Sequence, residues 1–148
     1  MTSWRDDTPQ SVQDDLDGTV SAALDAARHL LDKNGEFFPF GVTMMADGEQ
    51  RLVAGDPALG DHPESQAVLE TLYDGVAGVR DDLRAAAFVA DVLVGGSDAI
   101  SVRVEHRDGG PAIQVLQQFS KDGSGIEYGA TSASAAERRV WPRTDPLP

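Results

Sequence analysis

"LRAAAFVADVLVGG", Leu83 to Gly96, is the stretch whose reading decides the fold. Leu83, Ala86, Ala87, Ala90 and Leu93 recur at three- and four-residue spacing, as they would on one face of a helix. Against that, Phe88, Val89, Val92 and Val94 favour extended chain, and Gly95-Gly96 closes the run as a turn. An almost unbroken apolar segment of this length suits a strand covered on both faces. Residues 83–94 therefore read as a central strand. As a helix, the same residues would remove the middle of the sheet.

Downstream the pattern is cleaner. In "AISVRVEHR", Ile100, Val102, Val104 and His106 alternate with Ser101, Arg103, Glu105 and Arg107, the period of a half-buried strand. A two-residue turn at Asp108-Gly109 pairs Val104 with Ile113 and Val102 with Val115; one more loop residue would set Val104 against Gln114. A "KDGS" loop then lets Phe119 face Ile126 and brings Val115 near Ala130, with "IEYGATS" as the last strand. From Ser134, with Glu137 completing a capping box, one helical turn is expected before the chain frays after Trp141-Pro142.

Upstream, "GEFFPFG" (Gly35–Gly41) holds three of the five phenylalanines. The period-two series Phe38, Phe40, Val42, Met44 marks one buried face, with Phe37 and Pro39 projecting to the other near an edge. An exposed Phe37 beside Met45 would mark a protein contact or the lip of a pocket. "ADGE" turns the chain through an odd-length loop at Gly48 that returns Leu52 to the face of Val42 and Met44. Helix one is expected from Pro9 to a left-handed stop at Asn34-Gly35, with Thr8 as its cap. Its stripe is Val12, Leu16, Val20, Ala23, Leu24, Ala27 and Leu31, and Gly18 is its weak point. Asp14, Asp15 and Asp17 read as solvated groups that compensate the helix dipole. Helix two is expected from near Pro63, with a stripe of Val68 or Leu69, Leu72, Val76 and Val79.

The order helix, hairpin, helix, four-strand meander predicts an α+β fold: a twisted antiparallel sheet of about six strands with two helices packed on it. Residues 9–141 form one domain between tails at 1–8 and 142–148. The order of elements resembles that of roadblock- and profilin-like domains; the resemblance covers no sequence motif and implies no function.

Composition narrows the chemistry. There is no cysteine, so disulfides, thiolate nucleophiles and cysteine-ligated metals are excluded. A formal charge of −13 opposes nucleic acid and anionic membranes, and favours a basic partner if the partner is a macromolecule. No secretory signal or membrane span is legible, which sets the expectation of a cytoplasmic protein. No serine elbow, Walker loop or Rossmann fingerprint occurs. Composition and motifs leave two expectations about function. The first is a non-catalytic interaction or regulatory module, of which an inhibitor- or immunity-type protein is one version, needing no cofactor and pairing its open sheet edges in a dimer. The alternative is a metal-dependent enzyme or small-molecule-binding domain in which His62, Glu64 and His106 form a two-histidine, one-carboxylate site.

Overall fold

A computed structural model of the chain describes residues 8–54, 65–108 and 112–142. Its elements are α1 (Gln10–Asn34), β1 (Phe40–Met45), β2 (Gln50–Ala54), α2 (Ser65–Gly78), β3 (Leu83–Val94), β4 (Ser97–His106), β5 (Ala112–Asp122) and β6 (Gly125–Ala136). They build one antiparallel sheet in the order β2-β1-β3-β4-β5-β6. β3 lies inside it, hydrogen-bonded to β1 on one side and β4 on the other.

The mixed pattern of Leu83–Gly96 now has its cause. Ala87 and Val89 point to one face and pack with Val42, Val102, Leu16 and Ala27 beneath α1. Ala86 and Phe88 point to the other and pack with Val68, Leu72, Tyr73 and Val76 of α2. The sheet is the middle of three layers, so its interior strand needs apolar residues at odd and even positions alike.

α1 ends as its sequence demands. Gly35 takes φ +77° and its N–H reaches Leu31 O at 2.8 Å, the left-handed stop that only glycine adopts cheaply. At the other end Pro9 itself occupies the cap and offers no side-chain acceptor, so the expected Thr8 cap is replaced. Toward its C-terminus Arg28 donates twice to Gln117 of β5, and the Tyr128 hydroxyl of β6 meets Arg28 O and Asp32. Burial, and then the Asp32 carboxylate, push the Tyr128 phenol up to about 12.

The β1–β2 hairpin has the odd loop, with Met44 opposite Gln50 and Gly48 at φ +93°. Leu52 lies opposite Val42 as expected, yet it is 67% exposed, on the edge strand of the sheet. The Phe37 and Phe38 assignments are reversed. Phe38 is 50% exposed, whereas Phe37 packs edge-on against Phe40 at 5.6 Å. Strand pairing begins only at Phe40, so period-two alternation does not extend back through Pro39. Val79 likewise lies past the end of α2 and is exposed, and Tyr73 is buried with Val68, Leu72 and Val76 in the α2 layer.

β4 pairs β5 in the expected register, Val104 with Ile113 and Val102 with Val115. β5–β6 differs: Phe119 faces Tyr128 and Val115 faces Ala133. The turn is tighter than "KDGS", because Asp122 accepts from both the backbone N–H and the hydroxyl of Ser124 and holds Asp122 opposite Gly125. An extra residue on β6 is then absorbed as a bulge, with Gly129 and Ala130 together opposing Gln118 between the Gln117–Thr131 and Phe119–Tyr128 pairs. The expected helical turn from Ser134 does not form; β6 continues to Ala136.

After β6 the chain forms a clasp. Glu105, 3% exposed, accepts the backbone N–H groups of Arg139, Val140 and Trp141 at 2.8–2.9 Å. Arg138 closes it from the other side, donating to His106 O and Trp141 O. Val140 is thereby driven fully into the α2 layer.

Candidate functional site

His106 is the one member of the expected metal set within the described residues; His62 and Glu64 lie outside them. It sits under α1 at the end of β4, 2% exposed. Its Nδ1 accepts the Asp108 N–H at 3.0 Å, so Nε2 carries the hydrogen and donates to Asp15 Oδ2 at 2.8 Å. Both ring nitrogens are therefore engaged within the chain. The second Asp15 oxygen takes Arg84 Nη2 at 2.8 Å. Arg84 reaches this face because β3 bulges there: Met44 faces Ala85, but Met45 faces Leu83. Asp15 is thus not a solvated dipole charge. It is a half-buried strut tying α1 to β3 and β4, through partners 69 and 91 residues away. Among the described residues no group of three or more His, Asp or Glu could hold a metal ion.

Phe37 and Met45 do not share a surface. Phe37 is half-buried in the α1 layer and Met45 in the α2 layer. Of the apolar side chains left most exposed, Leu52 and Val79 border one cleft between β2 and the end of α2, while Leu93 lies near the end of β3 and Phe38 ahead of β1.

The feature that stands out is β6. It is twelve residues long, it ends the sheet, and no described strand pairs with its outer side. A sheet edge of unpaired N–H and C=O groups is normally blunted by shortness, charge or proline. The opposite edge obeys this: β2 has five residues and carries Arg51, which pairs with Glu49 at 3.3 Å. β6 does not. Gly129–Ala136, "GATSASAA", holds no charge, no proline and no large side chain. Thr131 and Ala133 face the α1 side, opposite Gln117 and Val115; Ser132 and Ser134 face the other, opposite Leu116 and Gln114.

Next to this edge the α1 layer is incomplete. A cavity of about 260 Å³ opens between α1 and the outer strands, walled by Leu16, Val20, Ile113, Val115 and Ala133 with Asp17 at its rim. Val20 and Val115 are only partly covered within the chain. In the sequence β6 reads as a seven-residue strand followed by a helical turn, which hides the length of the edge; the run of small uncharged residues was the available signal.

No family model matches the chain, and no curated protein or solved structure matches it significantly.

Proposed function

We propose that the chain is a non-catalytic interaction module that assembles by pairing β6 with β6 of a second copy. The observation that carries this reading is the long, uncharged edge at Gly129–Ala136, unblunted past its bulge at Gly129–Ala130, on a molecule of charge −13. Two such acidic bodies repel over most of their surface, and this run lets two backbones approach with no carboxylate between them. Antiparallel strands also satisfy the two-fold symmetry that closes a dimer.

Magnitudes say what else is needed. A backbone hydrogen bond is worth about 0.5–1.5 kcal/mol net, while association costs about 4–15 kcal/mol in lost freedom. Edge pairing alone is marginal. In a two-fold pair both α1 helices lie on the same face of the joined sheet, so the cavity beside Val20 and Val115 borders the junction and supplies apolar burial. The expected dimer is accordingly of moderate affinity, in the micromolar range.

Light scattering across a dilution series tests this. The wild-type chain should show twice its monomer mass at high concentration and dissociate on dilution. Ser132→Lys combined with Ser134→Lys should be monomeric throughout with an unchanged circular dichroism spectrum. These side chains share one face, and in a two-fold strand pair they meet their own copies or each other, so like charges oppose. A wild-type chain that stays monomeric, or a double variant that dimerises as well as wild type, would overturn the reading.

A further inference from the structure

On the opposite face, α2 covers β1 and β3 and leaves a cleft where β3, β4 and β5 continue past it. The cleft holds about 210 Å³ and is lined by Tyr73, Phe88, Ala90, Ser101, Arg103 and Arg139, among others. This is less than the roughly 300–1,000 Å³ of sites for drug-sized ligands, so its occupant is small. Two guanidiniums line it together with the Tyr73 ring. Arg139 lies over Tyr73 at 4.2 Å from the ring centre, and Arg103 lines the same cleft beside it. Among the described residues no carboxylate lines the cleft with them. Glu105 is spent on the three N–H groups of the C-terminal clasp, and Glu70 meets Arg139 at 3.3 Å out on the surface. Burial, outweighing both arginines, pushes the Tyr73 phenol above its ordinary value, so it keeps a hydrogen to donate. On the far wall Gln114 donates to Ser101, which is buried.

We propose that this cleft binds a small organic carboxylate, its charge held between Arg103 and Arg139 and its apolar body laid against Phe88 and Ala90. A planar guanidinium matches a carboxylate in two-point contact, and the apolar floor has nothing to offer a bare inorganic anion. The site is independent of β6 and lies on the other face of the sheet from the α1 cavity.

The test is an amide-resolved NMR titration with sodium benzoate, run against benzamide and inorganic phosphate. Benzoate should give saturable millimolar shifts at residues 88–92, 101–103 and 114. Benzamide, with the same ring and no charge, and phosphate, with charge and no ring, should each bind about tenfold more weakly or worse. Arg103→Gln, at an exposed position that leaves the fold intact, should weaken benzoate by a similar factor. The proposal is overturned if benzoate produces no saturable shifts there, if benzamide or phosphate matches it, or if Arg103→Gln binds as wild type does.

Discussion

Glu105 accepts three backbone N–H groups from a segment more than thirty residues away, and removing it strips all three of their partner. Glu105→Ala should cost about 3 kcal/mol of stability and release Trp141, seen as a red-shifted emission in a Trp4→Phe background. Asp15→Asn should cost about 2–3 kcal/mol, because the Arg84 guanidinium, whose buried Nε already makes no bond among the described residues, would lose its counter-charge. Chemical denaturation measures both. Asp91 works in the opposite sense. Burial, and then the neighbouring Asp98 charge, raise its carboxyl above the ordinary range. The folded chain holds that proton more tightly than the unfolded one, so the contribution of Asp91 is most favourable in acid and is lost as pH rises through the raised value. Asp91→Asn should therefore raise the melting temperature at neutral pH, with the gain vanishing below the usual carboxylate range. None of these roles was legible in the sequence. Asp15, Glu105 and Asp91 look like their many acidic neighbours until the fold brings distant partners to them.

At the scale of elements, much more was legible, because periodicity is local. The strand at residues 83–94, the β4–β5 register and the glycine stop of α1 all come from patterns within a dozen residues. Failures came where local competition decided the outcome. Asp122 bonding to Ser124 tightened a turn and moved the β5–β6 register; the stretch from Ser134 stayed extended because it pairs with Ala112–Gln114 of β5, and the N–H groups that follow at 139–141 bond Glu105. The helices also retain weak points. At Gly18 an added methyl would meet Gln50 Nε2 at 3.8 Å and Met44 Cε at 4.0 Å, ordinary contact distances, and at Gly75 it would meet nothing. Gly18→Ala and Gly75→Ala should each stabilise by about 0.5–1 kcal/mol, read as a rise in melting temperature.

At the scale of the whole molecule, three layers leave two unlike edges and two unlike faces. One edge is short and charged, the other long and bare; one face is roofed by α1 almost to the last strand, the other opens past α2 into an arginine-lined cleft. No helix among the described residues is long and apolar enough to cross a membrane. The β6 edge is the feature on which the proposed assembly depends, and amide hydrogen exchange reports on it residue by residue. Followed at rising protein concentration, exchange at 129–136 should slow while the β2 amides at 50–54 keep their rate. Fast exchange along β6, equal to that of β2 and indifferent to concentration, would contradict the assembly directly.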